Sequence, residues 1–150
     1  MGKSGVQVKF IDKDNLQLAI RKASAPESSR ILRAVSVRMR GMQMEHFEKQ
    51  VDASGKGWKP LRPATLARRR KGPGVGGVRI LQDTGRLKSS IVAESNRDEA
   101  IAGTNTLYAA THQFGRGKIP AREFMYINDS EAITLIDFVA NEILGPLMKN

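Results

Sequence analysis

The segment LQDTGRLKSSIVAESNRDEAIAGTNTLYAATHQFGRGKIPAREF, residues 81–124, contains the turn and strand signals that decide the fold. Ser90–Ser95 and Ala100–Thr104 are short apolar-containing stretches, and the polar sequence Asn96-Arg97-Asp98-Glu99 separates them. Strand-like stretches on both sides of a short polar sequence are typical of a β-hairpin. We therefore predict a hairpin with a four-residue turn at residues 96–99.

The stretch after the hairpin predicts a brief helix that begins near Leu107 and ends at Gly115, which should adopt a left-handed cap. Its aromatic residues, Tyr108 and Phe114, are expected to pack inward. Its His-Gln pair is expected to hydrogen-bond nearby backbone. Residues 119–127 should then return as a strand.

Two short helices and a glycine-rich loop are predicted before the hairpin. The side chain of Asp83 or Thr84 is expected to cap a helix through Leu87, because its oxygen can accept a hydrogen bond from an otherwise unpaired backbone amide. An earlier short helix should start at residues 64–67 and carry the basic run Arg68–Lys71. Between them, residues 72–77 contain four glycines and a proline, which favours a mobile loop.

The N-terminal part predicts a strand followed by two helices. Apolar and polar residues alternate over residues 5–11, as in a strand with one buried face. A short helix through residues 16–20 should follow, and a long helical pattern runs from about Ser28 to Asp52. Trp58, the only tryptophan, is expected to anchor the next loop to the core.

One side of the long helix is apolar. At 100° per residue its core-facing stripe spans an arc of about 100°. The stripe consists of Ile31, Leu32, Val35, Met39, Met42 and His46. His46 is interpreted as a packed, hydrogen-bonded histidine, whereas Phe47 lies off the stripe.

The final helix should begin at an Asn128, Asp129 or Ser130 cap. The face predicted to meet the core contains Ala132, Ile133, Ile136, Val139, Ala140, Ile143 and Leu144. Leu135 and Phe138 fall on the opposite side, which suggests a second contact, with either a loop of this chain or another subunit.

These elements predict an α+β fold in a single domain over residues 1–150, with a flexible basic and glycine-rich loop at about 68–78. A small antiparallel sheet should be packed against the long N-terminal helix and the C-terminal helix. Its four strands are expected at residues 5–11, 90–95, 99–104 and 122–127.

The net charge of +10 is unevenly distributed. Residues 1–90 carry 20 Lys and Arg against 7 Asp and Glu, whereas residues 91–150 carry 5 against 8. The two parts therefore have net charges of +13 and −3. A basic surface attracts nucleic acid or an acidic protein partner, and opposite halves can also pair head to tail between like subunits.

The remaining composition argues against several classes of protein. No apolar run approaches the roughly 20 residues needed to span a bilayer, and charged residues interrupt the N-terminus where a signal peptide would be apolar. The absence of cysteine excludes disulfides and thiolate metal sites and fits folding in the cytoplasm.

The sequence shows no pattern for an active site, a metal or a cofactor. His46 and His112 are far apart in the sequence, and no metal-binding histidine spacing occurs. Ser89-Ser90 lacks the flanking glycines of a nucleophile elbow, and the glycine loop lacks the Lys-Ser/Thr of a phosphate-binding loop. We therefore expect no enzymatic activity.

An ordered set of short motifs runs from about Phe47 to Phe124. They are Trp58-Lys59-Pro60-Leu61, Thr65, the basic run, Ile80-Leu81, Thr84-Gly85, Leu87, Ser90-Ile91, Gly103-Thr104, Tyr108-Ala109, His112-Gln113-Phe114-Gly115 and Ala121-Arg122-Glu123-Phe124. In this order they resemble the phage virion morphogenesis family, the tail completion proteins of Mu-like contractile-tailed phages. The chain departs from the family pattern at Glu123, where proline is expected.

The resemblance implies a structural virion protein for tail completion or neck assembly at the head–tail junction, acting as a homo-oligomeric ring. It would be made in the host cytoplasm and reside in the tail or neck, with the tail tube or its terminator, neck or head-connector proteins and passing DNA as partners. Structural roles fall on Trp58, Thr84, Gly85, Leu87, Tyr108, His112, Gln113, Phe114, Gly115, Arg122 and Phe124.

Two further sets of residues are candidates for contacts. Partner or DNA contacts are expected from Arg68, Arg69, Arg70, Lys71, Arg116 and Lys118, and a subunit contact from Leu135 and Phe138. The alternative is a basic nucleic-acid-binding protein, although aromatic residues make up only 5% of the chain, few for base-stacking platforms.

Overall fold

The computed structural model describes residues 5–10, 24–72 and 77–146 of the chain. In order, its elements are β1 (Val6–Phe10), α1 (Ala25–Lys49), α2 (Pro63–Arg68), α3 (Arg86–Ser89), β2 (Val92–Ser95), β3 (Ala100–Thr104), α4 (Ala109–Phe114) and α5 (Asp129–Leu144). This is the predicted α+β fold. The helix expected at residues 16–20 and most of the glycine loop, residues 73–76, lie outside the described residues.

The sheet is antiparallel with strand order β1-β3-β2. Val6 of β1 is opposite Thr104, and Val92 of β2 is opposite Gly103. The predicted hairpin is confirmed, and the Asn96 amide donates to the Glu99 carbonyl at 3.0 Å to close its turn. β3 is therefore the central strand, and its largely buried residues face the long helix α1.

The predicted stripe of α1 is confirmed, and it extends further at the C-terminal end. Phe47, expected off the stripe, is fully buried. Its ring lies 5.8 Å from Trp58 in an edge-on arrangement and 5.3 Å from Phe124. That end of α1 is covered from two directions, by the Trp58 loop and by the segment at Phe124, so a wider arc of the helix is buried.

The fourth strand, expected at residues 122–127, does not form. Instead, buried side chains bind the backbone of residues 124–126. Gln113 Nε2 donates to the Met125 carbonyl at 2.9 Å, and its Oε1 accepts from the amides of Phe124 and Met125 at 3.1 and 3.0 Å. These side-chain bonds take the place of a neighbouring strand, so this apolar segment remains outside the sheet.

Two side chains of α1 complete this arrangement. Gln43 donates to the Tyr126 carbonyl at 2.7 Å and accepts from the Tyr126 amide at 3.1 Å. His46 Nδ1 donates to the Phe124 carbonyl at 3.0 Å, and its ring stacks on Tyr126 with centroids 3.7 Å apart. His46 is thus a packed, hydrogen-bonded histidine, as predicted.

The predicted core face of α5 was wrong. Leu135 and Val139 are fully buried, whereas Ile133 is 59% and Leu144 is 52% exposed. Helix α5 docks on α1 with Glu131 2.6 Å from His46 Nε2 and Glu142 2.7 Å from Arg30. The side of α5 that carries both glutamates therefore faces the rest of the chain.

This docking changes the interpretation of the two residues assigned to a subunit interface. Leu135 lies in the core of this chain, and Phe138 is half-buried against the core with the Arg38 guanidinium 3.9 Å from its ring centroid. Their position outside the predicted core face was the reason for that assignment, and this reason no longer holds.

The N-terminal cap of α5 agrees with the prediction. The Asn128 side chain accepts from the Glu131 amide at 2.9 Å, and Glu131 Oε2 accepts from the Asn128 amide at 3.0 Å. This is a capping box, in which two unpaired amides of the first turn are satisfied reciprocally.

Within the described residues no helix combines the length and the apolar character needed to cross a membrane.

Candidate functional site

Three separate segments meet around a cleft of about 870 Å³. The first is α2 with the loop before it, the second leads into α3, and the third is α4 with the loop that follows. The cleft has seven cationic side chains in its lining, and we call it the basic cleft. They are Lys59, Arg62, Arg68, Arg69, Arg86, Lys118 and Arg122.

The positive charge of the basic cleft is hardly compensated. Among the described residues, Asp83 is the one carboxylate that lines it. Among the ion pairs between described residues, none involves any of the seven cationic groups. Clustered like charges repel one another and raise the local concentration of counter-ions, so this cleft is suited to bind a negatively charged group.

Arg122 holds the cleft together. It is 7% exposed, and its guanidinium donates to the carbonyls of Lys59 and Pro60 at 2.8 and 3.2 Å. Burial, and to a lesser extent the nearby Arg69, lowers the pKa of Arg122. Arginine keeps its charge despite such a shift, because its pKa starts above about 12. Arg122 therefore joins two walls of the cleft and adds to its positive potential.

Arg69 lines the cleft on the side of the glycine loop. Its Nη1 donates to the carbonyls of Gly77 and Arg79 at 2.9 and 2.5 Å. Like Arg122, it binds backbone oxygens rather than a carboxylate, so its charge is not neutralised by these bonds. Its guanidinium instead holds the backbone of residues 77 and 79 beside α2.

Two side chains of the lining contain a buried polar atom without a partner among the described residues, Asp83 Oδ1 and His112 Nδ1. The His112 ring lies edge-on to Tyr108, with centroids 5.8 Å apart. Burial, and then the charge of Arg122, lowers the pKa of His112 below its ordinary value of 6.5. At neutral pH the imidazole is therefore uncharged and does not contribute to the positive potential.

The structure brings together some of the predicted contact residues and not others. Arg68 and Arg69 line the cleft from one side and Lys118 from another. Arg70, Lys71 and Arg116 are exposed outside its lining. Lys59, Arg62 and Arg86 were not predicted, since each stands alone in sequence and only the fold adds it to the cluster.

Most family-motif residues occupy structural positions. Trp58 Nε1 donates to the Glu123 carbonyl at 2.8 Å, so Trp58 anchors its loop as expected. Leu87 and Phe124 are in the core, and Gln113 binds backbone. The helix at Leu87 spans only Arg86–Ser89, and its N-cap residue is Gly85, in a left-handed conformation. Thr84 Oγ1 accepts from the Arg86 amide at 3.3 Å, so one of the two predicted side chains does bind a first-turn amide.

Three predictions for α4 and its end were wrong. Tyr108 is 40% and Phe114 73% exposed, because α4 buries Ala109 and Gln113 instead. The His112 side chain binds no nearby backbone among the described residues; its backbone carbonyl accepts from the Arg122 amide at 2.7 Å. Gly115 has a positive φ of 75°, but its ψ of 157° lies outside the left-handed helical region that the predicted cap requires.

The described residues contain no group of three or more His, Cys, Asp or Glu side chains that could hold a metal ion. The donors around the cleft are ammonium and guanidinium groups, which bind carboxylates and phosphates. The chemistry available in the basic cleft is therefore recognition of anionic groups.

Comparison with known proteins relates this chain to phage proteins. The profile of the phage virion morphogenesis family matches residues 11–143. The putative capsid assembly protein G of Escherichia phage Mu is 27% identical over 147 residues, covering 91% of this chain and 94% of that protein.

A second relative matches over a shorter stretch. Mu-like prophage FluMu G protein 2 of Haemophilus influenzae is 44% identical over 64 residues. The match covers 38% of this chain and 46% of that protein, so it spans less than half of the relative's length. No solved structure matches the chain.

Proposed function

The chain belongs to the phage virion morphogenesis family, and we propose that it completes the tail or neck at the head–tail junction as a homo-oligomeric ring. The observation that carries this proposal is the family match over residues 11–143. At the coarser level the role is structural, in assembly of the virion. To this coarser role our proposal adds three points: tail completion, the position at the neck and the homo-oligomeric ring.

A role at the head–tail junction agrees with two different descriptions of related proteins. The motif resemblance implies tail completion, whereas the phage Mu relative is named for capsid assembly. A protein that acts where the filled head meets the tail would take part in both processes. Its neighbours would be a tail-tube or terminator protein on one side and a neck or head-connector protein on the other. The proposed mechanism is assembly through complementary surfaces and involves no covalent step.

Deletion of the gene from its phage or prophage tests this function. We expect DNA-filled heads and separate tails to accumulate unjoined, and a plasmid copy of the gene to restore joined particles. Electron microscopy of the lysate provides the readout. Absence of heads would instead indicate a role in the capsid shell, and normal particles without the gene would overturn the proposal.

The basic cleft favours a second function, binding of nucleic acid. If DNA phosphates occupy the cleft, affinity for duplex DNA should fall steeply as the salt concentration rises. A plot of log affinity against log salt should become less steep by about 0.9 for each phosphate contact that is lost. Arg68→Gln with Lys118→Gln removes two lining charges, and Arg33→Gln with Arg97→Gln is the matched control on exposed sites elsewhere.

Fluorescence anisotropy with labelled duplex at several salt concentrations separates the two functions. Tight binding by a monomer, with a slope reduced only by the cleft variant, would favour a DNA-binding protein. Weak binding with equal slopes for both variants would favour assembly.

A further inference from the structure

The outward side of α5 combines aliphatic and acidic residues. At 100° per residue, one arc of about 100° contains six of its side chains. This outer face consists of Asp129, Ile133, Ile136, Asp137, Ala140 and Leu144. Ile133 and Leu144 are more than half exposed, and α5 contains no lysine or arginine. Within the described part of the chain, neither aspartate forms an ion pair.

A second exposed apolar surface lies at the edge of the basic cleft. It consists of Leu107, Tyr108, Phe114 and Ile119, and we call it the rim patch. Leu107 and Phe114 are 81% and 73% exposed; Leu107 lies just before α4, and Phe114 is the last residue of that helix. Tyr108 and Ile119 also line the cleft, so the rim patch is bordered by its cations.

These two surfaces are complementary. Each exposes large apolar side chains, one beside carboxylates and the other beside lysine and arginine. Pairing of two outer faces would place aspartate against aspartate, and pairing of two rim patches would place cation against cation. Contact between unlike surfaces avoids both repulsions.

We infer that the outer face of α5 in one copy packs against the rim patch and the mouth of the basic cleft in the next copy. Such a contact joins different surfaces of identical chains, so it repeats from subunit to subunit and closes into a ring if the rotation permits. The inference rests on the ring in the proposed function, and it specifies the two surfaces that form it.

The absence of cysteine makes a direct cross-linking test possible. Ile136→Cys lies on the outer face and Phe114→Cys on the rim patch. A short bis-maleimide should convert the double variant into a ladder of multimers. An equimolar mixture of the two single variants should give dimers only, because each chain then has one reactive site. Either single variant alone should give no dimer. Val37→Cys with Phe114→Cys, which uses an exposed position on α1, is the control and should give no ladder.

Charge substitutions provide an independent measurement. Asp129→Asn with Asp137→Asn should weaken self-association about tenfold at low salt and much less at high salt, because screening already removes the attraction. Asp98→Asn, in the exposed hairpin turn, is the matched control.

Phe114→Ser tests the apolar part of the contact. It should weaken self-association about 30-fold, because an aromatic side chain is lost from the centre of the interface. Circular dichroism verifies that each variant is folded.

The outcomes separate the two proposals. Dimers from a single variant would show a symmetric contact and overturn the inference. Multimers by light scattering without the double-variant ladder would also overturn it while the ring remains. A protein that stays monomeric at every concentration and beside tail tubes would refute the ring and the inference together. Protection of Phe114→Cys by tail tubes or DNA, but not by more of the protein, would assign the rim patch to that other partner.

Discussion

Gln113 shows how much one buried polar side chain can determine in this chain. Its amide group binds three backbone groups of residues 124 and 125, which belong to neither a helix nor a strand. A buried backbone group without a partner costs about 1–3 kcal/mol. Gln113 therefore decides where this segment lies, and the segment in turn supplies Phe124 to the core.

The substitution Gln113→Leu tests this role. It keeps the volume roughly constant and removes both the donor and the acceptor, so the free energy of unfolding should fall by about 2–4 kcal/mol. Urea denaturation followed by circular dichroism measures the change. Asn141→Leu, an amide on the exposed side of α5, should change it by less than about 0.5 kcal/mol. Equal effects of the two variants would refute the role.

His112 should make stability depend on pH. Its pKa is lowered below 6.5 in the folded chain, so in the interval below 6.5 the unfolded chain binds more protons. The free energy of unfolding should therefore decrease as the pH falls through 6.5 and level off below the folded-state pKa. Comparison of the parent with His112→Gln between about pH 7.5 and about pH 5.5 isolates this contribution, because other groups cancel. The variant should lose less stability on acidification, and parallel curves would contradict the prediction.

At the scale of elements, helix α5 shows where amphipathic patterns become ambiguous. It carries large aliphatic residues nearly all around, so the sequence contains two candidate apolar faces. The structure buries the face of Leu135 and Val139, which is the side where Glu131 contacts His46 and Glu142 contacts Arg30. Because these partners lie about 85 and 112 positions away in sequence, no local pattern could reveal the choice.

The start of the same helix was predicted as a cap at Asn128, Asp129 or Ser130, and the structure selects Asn128, whose partner Glu131 is only three residues away. Asn128→Ala should lower the free energy of unfolding by about 1 kcal/mol, since it leaves a first-turn amide without its acceptor. Asn141→Ala on the same helix is the matched control and should be neutral or slightly stabilising, because alanine favours helix. Thermal or urea denaturation measures both, and equal values would argue against the cap.

At the scale of the whole molecule, folding concentrates positive charge around one cleft. Three segments separated in sequence place seven cationic groups around one cleft. Their repulsion opposes folding, and salt should relieve it. The same cluster would favour any anionic partner that enters the cleft.

Salt dependence of stability tests this repulsion. The melting temperature should rise by about 2–4 °C between low and moderate sodium chloride, which for a chain of this length corresponds to roughly 1 kcal/mol. Arg68→Gln with Lys118→Gln should reduce that rise, whereas Arg33→Gln with Arg97→Gln should leave it unchanged. Scanning calorimetry provides the measurement. A melting temperature that falls with salt would show that attractive ion pairs dominate instead.

The sequence by itself determined the elements whose signals are local. These are the hairpin, the long helix with its apolar stripe, the start of the C-terminal helix and the motif order that identifies the family. Only the tertiary structure decided which face of α5 is buried, why residues 122–127 form no strand, and which cations share the basic cleft. The reason is that turns and caps depend on neighbouring residues, whereas burial, side-chain hydrogen bonds to backbone and charge clusters depend on groups that folding brings together from distant positions.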